Sequence, residues 1–105
     1  MAITKYIRGR TKEYAAKELL QKEGFDVIRA SSSKGIFDLV AIKPYLVRLI
    51  QVKSVKTKYS SFAKEIKFLK SYQVPNSVSI ELWIWWTPKK DRGKRGWEIL
   101  VLNGG

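Results

Sequence analysis

Four polar residues interrupt two otherwise apolar runs, Asp38 in IFDLVAI and Arg48, Gln51 and Lys53 in LVRLIQVK, and three of them, Asp38, Gln51 and Lys53, could do chemistry together. The runs are rich in aliphatic and β-branched residues and flank Pro44-Tyr45, the pattern of a β-hairpin. With Pro44 and Tyr45 as the loop, residue 43 faces 46, and counting outward sets Asp38 opposite Gln51; a loop of 43–46 preserves that pairing. Opposed residues share a face, with Cβ atoms about 5 Å apart. Lys53, two positions beyond Gln51, returns to the same face. A carboxylate, a carboxamide and an ammonium group therefore converge on one patch, which a one-residue slip would scatter.

A lone carboxylate in a strand this apolar is costly unless it is paired or bound to a metal. An ordinary Asp–Lys ion pair at a sheet edge is one way to satisfy it. Phosphodiester hydrolysis is another, since it needs a divalent metal on oxygen ligands, a water placed for in-line attack and positive charge near the transition state. Asp38 supplies a carboxylate, Gln51 an amide oxygen, and Lys53 a cation for the water or the phosphate. Geometry alone leaves both explanations open. Glu13, near the start of the first helix, offers a second carboxylate; an acid in a first helical turn is also a common placement, and spacing does not choose between the two.

Composition narrows the rest. The 105 residues contain no histidine and no cysteine. That excludes Ser-His-Asp and Cys-His nucleophilic sites, Cys/His zinc sites and disulfides within the chain. Lysine and arginine number 21 against 9 acids, a net charge of +12. The excess is clustered. Residues 53–70 hold six lysines (Lys53, Lys56, Lys58, Lys64, Lys67, Lys70) against Glu65. Residues 88–96 hold Lys89, Lys90, Arg92, Lys94 and Arg95 against Asp91, and the first ten residues add Lys5, Arg8 and Arg10. Such fields bind polyanions, so nucleic acid is favoured over a membrane surface or a merely soluble basic surface. At 45% apolar residues the chain can bury one core, and a single domain over 1–105 is expected. No apolar run is long enough to span a membrane and no secretory signal is visible, so the cytoplasm is the expected compartment.

The patch needs elements to hold it. Thr11–Glu23 reads as a helix with Ala15, Ala16, Leu19 and Leu20 as its apolar stripe and Gly24 as its stop. Strands follow at 25–30, 36–42 and 46–52, then a helix over about 62–72 with Ser61 as its cap and Phe62, Ile66 and Leu69 on one face. Strands at 78–87 and 97–102 complete the order α-β-β-β-α-β-β, which suits a mixed sheet with helices on its faces. The strand VSIELWIWWT is apolar on both sides. Trp83 and Trp85 occupy its second face, and with only two helices to share, that face is expected to be covered by another subunit rather than by a helix of the same chain or by stacked bases.

At these residues the chain resembles the archaeal Holliday junction resolvases of the PD-(D/E)xK nuclease superfamily. Gly9 and Glu13 followed by AKELLQKEGFDVIRA resemble the family's opening helix and first strand; SSSKGIFDLVAIK resembles its serine loop and metal-binding aspartate; LIQVKS resembles its E-V-K segment, and GWEILV its last strand. The segment 10–54 carries the resemblance most specifically. It implies a restriction-endonuclease-like mixed central β-sheet flanked by helices, and a structure-selective endonuclease that cuts branched DNA with Mg²⁺ or Mn²⁺. Asp38, Gln51 and Glu13 correspond to the acidic metal positions, Lys53 to the catalytic lysine and Ser33 to a serine near the scissile phosphate. Arg10 and Lys34 fall where basic groups touch DNA, and the loops carrying Lys56, Lys58, Lys89, Lys90, Arg92, Lys94 and Arg95 would hold duplex arms. Family members are homodimers acting on a four-way junction. The chain departs from the family where Gln51 replaces a glutamate. Two rivals follow: a DNA-binding module of this fold with weakened or lost catalysis, and a nuclease of this fold with another nucleic-acid substrate.

Overall fold

The computed structural model describes residues 5–30, 36–55, 62–86 and 96–104. The elements run α1 (Lys5–Lys22), β1 (Asp26–Arg29), β2 (Leu39–Lys43), β3 (Leu46–Val55), α2 (Ala63–Lys70), β4 (Val78–Trp86) and β5 (Gly96–Gly104). They build one five-stranded sheet in the order β1-β2-β3-β4-β5. Neighbours are antiparallel except β3 and β4, which run parallel. A parallel pair needs a crossover, and the segment containing α2 provides it.

Helix α1 begins at Lys5, earlier than the expected Thr11, so Glu13 lies well inside it and its first turn holds no acid. A role for Glu13 as a first-turn acid is thereby removed. The helix ends as its sequence suggests. Gly24 has φ +93°, its N–H donates to the Gln21 carbonyl (3.0 Å), and the Phe25 N–H donates to the Leu20 carbonyl (3.1 Å). This is a Schellman closure, in which glycine adopts the left-handed conformation at little cost. The buried stripe is narrower than expected: Ala16 and Leu20 are fully buried, whereas Leu19 is largely exposed. Helix α2 starts after Phe62, which makes no side-chain capping bond, while Ser61 lies outside the described residues. Its apolar face is as expected, with Ile66 and Leu69 packed on Ile80, Leu82 and Ile84.

The two helices cover different parts of the sheet. Helix α1 packs on β1, β2 and β3, and α2 on β4 and β5 from the other side. Part of the tryptophan face therefore has a cover within the chain. Trp83 is 3% exposed and shares a core with Ala16 and Leu20 of α1, so the expectation of a subunit over Trp83 is corrected, while Ile99 and Val101 of β5, on the same face, are exposed. Trp85 and Trp97 stack edge-on (5.3 Å), Trp97 also meets Trp83 (5.5 Å), and the Lys12 ammonium lies 4.0 Å from the Trp85 ring centre.

Glu81 is a buried acid within this apolar layer, at 2% exposure. It is fully engaged. Arg48 donates to both carboxylate oxygens (2.8 Å each), Ser79 Oγ donates to Oε2 (2.6 Å) and Trp83 Nε1 to Oε1 (2.9 Å). Burial disfavours the charge, but the bonds from Arg48, Ser79 and Trp83, with the guanidinium charge, outweigh it and hold the carboxyl below its ordinary range. Removing one partner strands the other. Glu81→Ala is expected to cost about 3–5 kcal/mol in urea unfolding. Because the folded acid is the stronger one, its contribution is present above the unfolded pKa and is lost as pH falls through the folded value. Glu81→Gln should therefore remove part of the acid-induced loss of stability below about pH 4.5, read from unfolding midpoints across pH.

Candidate active site

The hairpin register places the patch. Leu39 pairs with Ile50 and Lys43 with Leu46, the register expected of the hairpin, and Asp38 and Gln51 lie one residue beyond that ladder. Leu39 and Ile50 point into the α1 core, which turns Gln51 and Lys53 of β3 to the other face of the sheet, while Asp38 precedes β2 and holds its carboxylate on the Val52 N–H. The turn that sets this register has Tyr45 at φ +68°, following Pro44. Strand β3 continues past the start of β2, and Asp38 closes the gap. Its N–H donates to the Ile50 carbonyl (2.8 Å), its carbonyl accepts the Ala30 N–H (2.9 Å), and its Oδ2 accepts the Val52 N–H (2.7 Å). The acid is thus fastened to both neighbouring strands.

Gln51 lies beside it, with Nε2 donating to the Ile36 carbonyl at 3.3 Å. That bond turns the amide so that Oε1 is buried with no hydrogen-bond partner among the described residues. A buried oxygen left without a donor is expensive, and native structures seldom retain one without a use. An oxygen-seeking cation would satisfy it, and the adjoining Asp38 carboxylate supplies charge, so the donor set fits a hard divalent metal.

Two cations act on Asp38. Burial dominates and raises its carboxyl above the ordinary value, opposed by the Val52 N–H and by the charges of Lys53 and Arg29. Arg29 is the residue that the sequence reasoning passed over. The alternation in FDVIRA put it on the same face as Val27, under α1, where a guanidinium must find a partner. Its partner is Glu13: Nε lies 3.5 Å from Glu13 Oε1, with both side chains mostly buried, and the guanidinium stacks on Tyr14 (4.7 Å). Glu13 is therefore joined to the site through Arg29. Among the described residues no three acidic side chains cluster.

The remaining candidates are Ser33, Lys34, Lys56, Lys58, Lys89, Lys90, Arg92, Lys94 and Arg95, which lie outside the described residues, as does the side chain of Arg10. The topology still constrains their attachment. β1, β3 and β4 all end at the edge where Asp38 and Lys53 sit, since Arg29 pairs with Leu39 and Val55 with Trp86. The chain leaves the sheet at that edge for 31–35, 56–61 and 87–95.

This sheet, with helices on both faces, has the restriction-endonuclease-like α/β fold. A solved Holliday junction resolvase, Hjc of the hyperthermophile Archaeoglobus fulgidus, superposes with a TM-score of 0.53 at 22% identity, over 84% of this chain and 74% of that one. The sequence narrows the class. Residues 4–100 match the model of the archaeal Holliday junction resolvase (Hjc) family, and the chain belongs to that family. The crossover junction endodeoxyribonuclease Hjc of Methanocaldococcus jannaschii is 42% identical over 69 residues, 65% of this chain. The match spans 51% of that relative's length.

An ionised Asp38 is a burden on the fold, because its folded carboxyl is the weaker acid. Its stabilising contribution is complete below the unfolded pKa and is lost as pH rises through the folded one. Asp38→Asn, which keeps an acceptor for the Val52 N–H, is expected to melt above wild type at pH 7. The difference should shrink as pH falls through the carboxylate range, as followed by thermal unfolding.

Proposed function

We propose that this chain is a metal-dependent endonuclease that cuts DNA at branched structures, a four-way junction foremost. The observation that carries the reading is the Asp38 carboxylate beside Gln51, whose Oε1 has no hydrogen-bond partner among the described residues, with Lys53 on the same face of β3 as Gln51. Membership of the resolvase family supports the substrate class. Asp38 and Gln51 would hold Mg²⁺ or Mn²⁺. When bound, the ion supplies a Lewis acid and an activated water for hydrolysis of the phosphodiester. Lys53 places its ammonium on the same face, where it orients the attacking water or offsets charge on the phosphate. Arg29 holds Glu13 and lends positive potential to Asp38. Basic segments leaving the same edge of the sheet would grip the duplex arms through their phosphates, reading shape rather than base sequence.

A junction cut on two strands needs two such sites, which supports a homodimer. Exposed apolar side chains outside the helix-covered faces, Ile28 and Ile42 on the sheet and Phe68 on α2, are available for its contact. Sedimentation equilibrium should then find a species of twice 12.1 kDa at micromolar concentration.

The decisive assay presents a synthetic four-way junction and a linear duplex to the protein with Mg²⁺. Cleavage of the junction in preference to the duplex is the expected outcome. Lys53→Ala should slow cleavage about 10²–10³-fold. Its effect on binding should be smaller, because one phosphate contact among many is lost. Junction affinity should also fall steeply between low and moderate salt.

One observation favours a second reading, a DNA-binding module that no longer cuts: Gln51 gives the pair with Asp38 one carboxylate where the family carries two. Calorimetric titration with Mn²⁺ separates the two. Binding by wild type supports the nuclease. Binding only by Gln51→Glu, with no cleavage of any DNA by wild type, would leave the module.

A further inference from the structure

The residues on either side of the proposed metal site are held from an unexpected direction. Ile36, Phe37 and Asp38 precede the β2 ladder, and each contributes to the site or its frame. Ile36 supplies the carbonyl that turns the Gln51 amide, Asp38 supplies the carboxylate, and Phe37 lies between them. The Phe37 ring meets Tyr72 edge-on, at 5.8 Å and 63°. Tyr72 is itself well anchored just past the end of α2. Its N–H donates to the Leu69 carbonyl (3.2 Å), its carbonyl accepts the Asn103 side-chain amide from β5, and its ring takes the edge of Phe68 at 5.6 Å and 87°.

We infer that Tyr72 is a positioning residue for the metal site: through Phe37 it fixes the Ile36 carbonyl against which the Gln51 amide is aligned, and so aims Gln51 Oε1 at the cation. The inference rests on the reading of Asp38 and Gln51 as the metal pair. It adds that α2 and β5, which contribute no ligand, set the direction of one. Groups that orient a ligand commonly change metal affinity about 10–100-fold when removed. The ring does this work rather than the hydroxyl, because the contact with Phe37 is edge-to-face. Tyr72→Phe should therefore behave as wild type, and Tyr72→Ala should not.

The test begins on the metal-free, ¹⁵N-labelled protein. In wild type and Tyr72→Phe the Gln51 side-chain amide should show a hydrogen-bonded, slowly exchanging proton. In Tyr72→Ala its signals should move to the positions of a solvent-exposed glutamine. Mn²⁺ affinity by calorimetry should fall about tenfold in Tyr72→Ala, junction binding in EDTA should stay within about twofold, and cleavage should recover at high Mn²⁺. Phe37→Leu should give the same pattern, and it decides the matter should Tyr72→Ala not fold. An unchanged Gln51 amide in both variants overturns the inference, and so does an equal loss in Tyr72→Phe. If wild type takes up no Mn²⁺, the metal reading fails, while the amide spectra still decide whether Tyr72 positions Gln51.

Discussion

The pairing of β2 with β3 is the constraint on which the site depends. Side chains alternate across a strand, so the register decides both which residues meet and which face they share. A two-residue turn at Pro44-Tyr45 sets it, with Tyr45 held in a backbone conformation that glycine would adopt more readily. Leu39 and Ile50, fully buried under α1, reinforce it, because a slip by one would put both in water. The apolar core thus holds the polar patch in place from the opposite side of the sheet.

Two buried acids show how differently this fold treats charge. Glu81 receives four hydrogen-bond donors from three side chains, and its carboxyl is strengthened as an acid. Asp38 has a backbone N–H and two cations at greater range, and burial weakens it as an acid. Gln51 repeats the contrast within one side chain, since among the described residues its nitrogen is engaged and its oxygen is not. Bonding capacity is met at Arg48–Glu81, whereas among the described residues it is unmet at Gln51 Oε1 and at Arg29 Nε, which has only its ion pair with Glu13. The Ile36 carbonyl also gives Gln51 a local rationale: an amide can donate to it, and a carboxylate cannot.

Much of this was legible in the chain. The hairpin register followed from Pro44-Tyr45, the end of α1 from Gly24, and the buried face of α2 from Ile66 and Leu69. What stayed hidden depends on partners distant in sequence. Alternation marks β3 and β4 as strands without saying that they run parallel. Trp83 and Trp85 make a second apolar face obvious, but only the path of α1 shows that the chain covers Trp83 itself. Arg48, Glu81 and Arg29 each read as a charge on an apolar strand, and their partners lie far along the chain or on another element. Gly9 and the β-branched Ile7 obscured the first turns of α1, which misplaced Glu13 within the helix.

The parallel contact at the centre of the sheet has a kinetic side. β2 and β3 meet across a tight turn, whereas Val47 reaches Val78 only after the whole intervening segment has been drawn back alongside. Closing a long loop costs chain entropy before any contact repays it, so ribbon formation precedes completion of the sheet. Asp38, Gln51 and Lys53 lie just beyond that ribbon's ladder, and Gln51 and Lys53 pair with Leu82 and Ile84 of β4. Their mutual alignment is consequently completed only when β4 docks along the far end of β3.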